Sequence, residues 1–214
     1  MTMASDRIPG NVARRVRGST RAAMLASAAE LLRERGTAAV TIDAVLSRSG
    51  CPRGSVYHHF PEGRSQLLRE ALDFAGSEIV ALIDISTGED GTALLHQFAG
   101  LWRSVLLASD YAAGSPVLAA AVGAGPDERA LAAVAAEIFQ RWQVAAVAAF
   151  IRQGFPEASA QSLAFTMIAA LEGAVALCRS MRSLEPLDAT TAQLEFLVQA
   201  HEFVSRTQQQ VSTP

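Results

Sequence analysis

The sequence predicts an all-α fold, and three observations carry that expectation. Half of the residues are hydrophobic, enough for a buried core, yet aromatics make up only 6%. Ala and Leu dominate the apolar content, and the alternating Val, Ile, Thr and Tyr runs that make strands are nearly absent. Gly and Pro signals cut the chain into segments of helical length. On this reading the 214 residues divide into an arm over 1–18, a three-helix N-terminal head over 19–66 and a larger helical body over 67–214.

Met1 to Gly18 mixes Gly, Pro and Arg without periodicity and reads as a flexible arm, with Arg14, Arg15 and Arg17 either solvated or touching a polyanion. Ser19 or Thr20 can cap a first helix running through Leu25, Ala28, Ala29 and Leu32, and Gly36 stands where a left-handed C-terminal cap belongs. Thr41 caps a second helix from Ile42, with Asp43 favourable to its dipole and Val45 and Leu46 facing inward; Gly50 ends it. Cys51-Pro52 opens a very short third helix through His58, proline being tolerated at a first helical position. A long helix starts near Arg64, carries Leu68, Leu72, Ala75, Ile79 and Leu82 on one stripe, and links head to body. The turn signals Gly88 to Gly91, Gly114 to Pro116, Gly123 to Pro126, Gly154 to Pro156 and Ser183 to Pro186 mark about five further helices.

The net charge of -3 conceals an asymmetry. Residues 1–70 hold 11 Arg against 6 acids, whereas residues 71–214 hold 7 Arg against 15 acids. A basic head on an acidic body suits a polyanion, because phosphate contacts need clustered cations whatever the total. All 18 basic residues are Arg, a codon-usage trait that carries no functional weight. The two cysteines, Cys51 and Cys178, lack the spacing of a metal site or disulfide framework, which fits a reducing compartment. The polar N-terminus and the charges interrupting the apolar stretches lead to the expectation of a soluble cytoplasmic protein with no membrane partner, no metal and no cofactor.

Two short helices joined by a Gly-containing turn, the second about two turns long, have the dimensions of a helix-turn-helix. The residues of the second helix suit a major groove: Arg53 can give bidentate bonds to guanine, Gly54 lets backbone approach, Ser55 offers a small hydroxyl, and Tyr57 and His58 reach phosphates or bases. A helix this short contacts few base pairs, so adequate specificity calls for a two-fold dimer on a pseudo-palindrome.

Thr41-Ile42-Asp43 and the run Gly50-Cys51-Pro52-Arg53-Gly54-Ser55-Val56-Tyr57-His58-His59-Phe60 resemble the DNA-binding signature of the tetracycline-repressor (TetR) family. The signature covers about Ser19 to Leu68, a quarter of the chain. The resemblance implies a DNA-binding set of Thr41, Arg53, Gly54, Ser55, Tyr57, His58 and Arg64. Of these, Arg53, Gly54 and Ser55 approach base edges, while Tyr57, His58 and Arg64 fasten phosphates. Two departures stand out: Pro52 replaces the usual hydroxyl cap, and one extra residue separates Phe60 from Arg64, which puts the phosphate geometry around Arg64 in doubt. Pro52-Arg53-Gly54-Ser55 with Tyr57-His58-His59-Phe60-Pro61, together with Leu171-Glu172-Gly173-Ala174, Arg179, Arg182 and Glu185-Pro186-Leu187, is similar to the LmrA/YxaF-like regulators of multidrug export and flavonoid-responsive genes. The resemblance implies a repressor that a small effector releases from double-stranded operator DNA.

In the body, Ala169, Ala170, Gly173, Ala174 and Leu177 form a stripe of low bulk where two helices can approach closely, and Leu194, Leu197, Val198 and His201 follow at matching spacing. The resemblance places these last two helices in an intersubunit four-helix bundle of a homodimer; an intrachain core is the competing arrangement. Phe98 and Trp102 share one helix face and Phe139, Trp142 and Phe150 another, so they either line a cavity or fill the core. Glu172 is the one acid in an apolar run and needs a partner such as Arg103, Arg141 or a ligand donor. The ligand set expected from these features is Phe98, Trp102, Phe139, Trp142 and Glu172.

An all-α enzyme is the main rival. No nucleophile elbow, phosphate-cradling Gly loop or paired acids occur, and the adjacent His58 and His59 diverge too far on a helix to chelate one metal. The same residues would also suit a ligand-independent DNA-binding regulator, or a redox sensor acting through Cys51 at the turn before the third helix.

Overall fold

The computed structural model describes residues 20–84 and 92–211. The arm arginines, Ser19 and the Gly88 to Gly91 turn lie outside the described residues. The described residues form nine α-helices and two 3-10 turns with no strand, so the all-α expectation holds. The helices are α1 (Thr20–Arg35), α2 (Ile42–Ser49), α3 (Val56–His59), α4 (Arg64–Asp84), α5 (Ala93–Ala108), α6 (Pro116–Val122), α7 (Pro126–Arg152), α8 (Glu157–Met181) and α9 (Glu185–Val211).

Local chemistry sets the boundaries in the head. Thr41 is extended (φ -100°), and its Oγ1 accepts from the Ala44 N–H at 3.1 Å, satisfying a donor that α2 leaves unpaired at its start. Gly50 ends α2 in the left-handed region at φ 67°, donating to Leu46 O at 3.0 Å. The third helix departs from expectation. Pro52 is an extended cap (ψ 139°) rather than a first helical residue, a 3-10 turn at Arg53–Ser55 follows, and only Val56–His59 is α-helical. Proline already fixes φ near the helical value, but with an extended ψ it stands outside the helix and starts it one residue later.

α1 packs on α2 and α4, while α4 also packs on α5, α6 and α7. A single apolar cluster runs through the head, from Met24, Val45, Val56 and Phe60, into the body at Leu72, Phe98, Trp142 and Leu171. α4 and α7 meet most tightly at Gly76, where a Cβ would fall 2.5 Å from Ile138 Cγ2, so only glycine allows the approach. Trp142 Nε1 locks this crossing by donating to Gly76 O at 2.8 Å. α8 buries Ala160, Leu171, Val175 and Cys178 but leaves Phe165, Leu177 and Met181 exposed. α7 and α8 are long and apolar enough to cross a membrane by length and composition. Here they pack against each other and against α4, α6 and α9.

Candidate nucleic-acid interface and ligand cavity

The turn between α2 and α3 presents the expected recognition residues outward. Arg53 is 78% exposed, and its guanidinium sits 2.9 Å from the exposed Asp43 carboxylate. Such a surface pair is weak and exchanges readily for a phosphate or a guanine edge. Tyr57 and His58 are exposed, His58 packing edge-on against His59 with centroids 5.0 Å apart. Gly54 has open space where a side chain would stand. Ser55 Oγ donates to Pro52 O at 2.6 Å, so this hydroxyl serves the 3-10 turn as well as whatever approaches it. Thr41 is exposed with its hydroxyl already capping α2. Behind this face Val56 and Phe60 are buried and anchor α3, and Arg21 stacks 5.4 Å above the Phe60 ring centroid.

Arg64 is the exception. The resemblance puts it on a phosphate, but the structure turns it inward. Its guanidinium donates to Val40 O at 2.7 Å and Thr37 O at 2.8 Å, and pairs with both oxygens of Asp127 at 2.9 Å. Two backbone carbonyls plus a carboxylate outcompete solvent for the planar fork. The Arg64 guanidinium holds the Asp127 carboxyl below its usual range. Thr37 also bonds Glu128. The start of α7 is therefore tied to the head, a joint that the sequence reading missed; the only signal was two acids after Gly125-Pro126 in the first turn of a helix.

The five expected ligand residues do not converge on one space. Phe98 is fully buried, its ring edge-on to Trp142 at 6.1 Å, and Trp142 is held at the α4–α7 crossing. Trp102 lines a small cavity of about 170 Å³ with Ala75, Val117 and Trp142, and its Nε1 has no hydrogen-bond partner. Phe139 and Glu172 line a separate cavity of about 750 Å³ between α6, α7 and α8, with Leu118, Gln140, Gln143 and Phe165. That volume lies in the range of drug-sized sites. A groove of similar volume between α4 and α7 is flanked by Asp73, Glu137 and Arg141, charged groups that suit water better than an apolar guest.

Glu172 is the unusual group. It is 2% exposed, and neither carboxylate oxygen has a hydrogen-bond partner. Burial pushes its carboxyl up to about 7, offset in part by the nearby Ser115 hydroxyl. Both partners that the sequence offered are engaged elsewhere, Arg103 by Asp188 and Arg141 by Asp73. The folded state thus holds the proton more tightly than the unfolded chain, and stability falls as pH rises from the ordinary 4.5 through about 7. Above that range the loss is on the order of 3 kcal/mol. Glu172→Gln is therefore expected to raise the melting temperature at pH 8 and to change it far less at pH 5. Equal shifts at both pH values would show that the carboxyl is not strained by ionisation.

The presumed subunit face splits as well. Ala169, Gly173 and Leu177 are exposed on α8, with Ala170 partly buried. Ala174, Leu194 and Val198 are instead buried within the single chain, where α5, α8 and α9 pack together, and Leu197 and His201 are half-buried. The exposed face carries larger groups that the sequence reading passed over, Phe165 and Met181 on α8 and Phe196 and Phe203 on α9, each more than half exposed. The spacing of four from Phe165 through Ala169 and Gly173 to Leu177 was the available signal.

Comparison with known proteins matches the architecture to function. Residues 24–71 match the model of bacterial regulatory proteins of the tetR family. Residues 92–193 match the C-terminal domain of LmrA/YxaF-like transcriptional regulators. The chain is 44% identical over 182 residues to the uncharacterized HTH-type transcriptional regulator Rv0196 of Mycobacterium tuberculosis, covering 83% of this chain and 93% of that protein. It is 27% identical over 184 residues to the regulator YxaF of Bacillus subtilis, covering 85% of this chain and 96% of that one. A regulatory protein TetR from Rhodobacter sphaeroides shares the fold at a TM-score of 0.69 and 22% identity, over 82% of this chain and 97% of that one. These relatives are regulators rather than enzymes, which sets the enzyme reading aside. Their soluble DNA-binding fold also accounts for the two long apolar helices as core and packing helices. The chain belongs to the TetR family of bacterial transcriptional regulators.

Proposed function

We propose that the protein is a homodimeric cytoplasmic repressor whose two α2–α3 heads hold a pseudo-palindromic operator, and that a mostly apolar small molecule beside Phe139 and Glu172 releases it. On this reading the head spans about residues 19–66 and the body residues 67–214. The DNA contacts come from Arg53, Gly54, Ser55, Tyr57 and His58, with Thr41 capping the helix behind them. A second solved neighbour at 20% identity and a TM-score of 0.53, a TetR variant from Acinetobacter baumannii, is described in complex with minocycline. That complex makes a small-molecule effector a natural reading for this fold.

The observation that carries the reading is the double duty of α7. The helix lines the large cavity through Phe139, Gln140 and Gln143. It is also tied to the head through Asp127–Arg64 and Glu128–Thr37, and to α4 through Arg141–Asp73 and Trp142–Gly76. A guest that displaces α7 must therefore move α4 and the head. Release needs differential affinity: binding about a hundredfold tighter to the splayed state shifts the balance by roughly 2.7 kcal/mol, whereas equal affinity shifts nothing.

The test is operator release by a ligand found by thermal-shift screening. Phe139→Ala is expected to weaken ligand binding without changing operator affinity in its absence. Asp127→Asn, which removes the charge facing Arg64, is expected to keep ligand binding and lose at least part of the release. If both variants release DNA as the wild type does, neither this cavity nor the α7 joint transmits the signal.

A further inference from the structure

The cavity has an electrostatic character that the repressor reading does not use. Glu172 is the single titratable group among its described lining residues. From α7 it is faced by Phe139, Gln140 and Gln143, and from α6 by Leu118. The Ser115 hydroxyl at the start of α6 is the remaining polar group near the carboxylate: its oxygen accepts from Leu118 N–H at 3.1 Å, and its own O–H, free to turn toward Glu172, offsets the burial only in part. On the neighbouring helices Arg103 of α5 pairs with Asp188 of α9 and Arg141 of α7 with Asp73 of α4, His96 of α5 lies against Glu195 of α9, and Arg179 donates to Ala112 O. On the same helix the Cys178 thiol is buried and pushed up, so it stays neutral. Among the described residues no cation reaches the Glu172 oxygens, and no described lining residue carries a positive charge that could neutralise an anionic guest.

We propose that this cavity selects a lipophilic cation, an apolar and preferably aromatic body whose positive charge sits against the Glu172 carboxylate, which has no described cation beside it, and that it discriminates against anions of the same shape. The inference rests on the cavity being the effector site and adds the ligand's charge. A buried carboxylate with no cation beside it is costly, and a cation desolvated there recovers that cost; Phe139 and Phe165 line the same cavity and make it apolar and aromatic. The acidic body, with 15 acids against 7 Arg over residues 71–214, raises the local concentration of cations in the same sense.

The probes are three naphthalenes with a tetrahedral group on the same methylene: (1-naphthylmethyl)trimethylammonium, its uncharged isostere 1-neopentylnaphthalene, and the anion 1-naphthylmethanesulfonate. The quaternary cation has no N–H, so any preference for it reports charge and not hydrogen bonding. Calorimetric titration of the whole dimer at pH 5.5 and pH 8 is expected to show the cation binding more tightly than the neutral compound at pH 8, with no detectable binding of the anion. A cation binds only the ionised carboxylate. Pairing that returns the group from about 7 to its ordinary 4.5 makes the cation's affinity about 25-fold higher at pH 8 than at pH 5.5. The neutral isostere should show no such rise. Glu172→Gln, confirmed folded by its melting curve, is expected to bind the neutral compound as before while losing both the preference for the cation and its pH dependence. If the neutral compound binds the wild type as well as the cation does, or if the cation's affinity is flat with pH, the charge inference is overturned and the cavity reading stands. If none of the three binds, the cavity reading falls and this inference with it.

Discussion

Leu177→Glu combined with Phe196→Glu is expected to leave a folded monomer that sediments at half the wild-type mass and binds a palindromic operator at least about a thousandfold more weakly. Both side chains are more than half exposed in the single chain, so the substitutions remove little intrachain packing, and surface changes of this kind rarely move stability by more than about 0.5 kcal/mol. At a two-fold interface each substitution appears twice, so four carboxylates would meet where apolar groups met before. The DNA loss follows because α3 is only four residues long and one head reads few base pairs. Joining two heads makes the second binding event intramolecular, and a monomer forfeits that gain. Gly173→Leu is a less clean test than the sequence alone indicates, because Gly173 also borders the large cavity, and its loss would mix assembly with ligand binding. A double variant that remains dimeric with unchanged operator affinity would move the interface off this face.

The second large effect belongs to the turn between α2 and α3. Arg53→Ala and Tyr57→Phe are expected to weaken operator binding while circular dichroism and sedimentation stay as in the wild type. A lost base contact costs about 1 to 3 kcal/mol per half-site, hence about 2 to 6 kcal/mol for a dimer that loses it twice. Arg53→Ala should relax the preference at one base pair in each half-site. Tyr57→Phe should weaken all sequences more evenly, as the loss of a backbone contact does. Neither change disturbs the head: the Arg53–Asp43 pair is exposed on both sides and contributes little, and Tyr57 is 65% exposed. Wild-type affinity on the native operator in both variants would remove α3 from the groove.

Much of the head was legible in sequence because its signals are local. Thr41 as a cap, Gly50 as a left-handed cap, Gly36 at a positive φ though with an extended ψ, and the short spacing to Tyr57 all depend on bonds between residues a few positions apart. Such bonds are dictated by residue type and offset, whatever the rest of the chain does. The same holds for the turns at Gly114, Gly123 and Gly154 that separate the body helices, and for the all-α class itself.

Where a side chain goes when its helix has several neighbours was decided only by tertiary packing. The motif alone sends Arg64 to a phosphate; the position of α7, 63 residues away, supplies Asp127 and turns it inward. The aromatic pattern alone gathers Phe98, Trp102, Phe139 and Trp142 around one space, yet the Gly76 crossing draws Trp142 into the core and leaves Phe139 with Glu172 in another. Helical spacing shows that Ala174 and Gly173 are neighbours on α8 but not which of them faces α9, since a helix that is apolar nearly all round has no marked inner side. The sequence by itself determined the fold class, the recognition turn and the solitary acid in the apolar run 161–178. The packing of α7 and α8 decided that this acid would be buried without a described cation beside it, because Arg103 and Arg141 lie against other carboxylates.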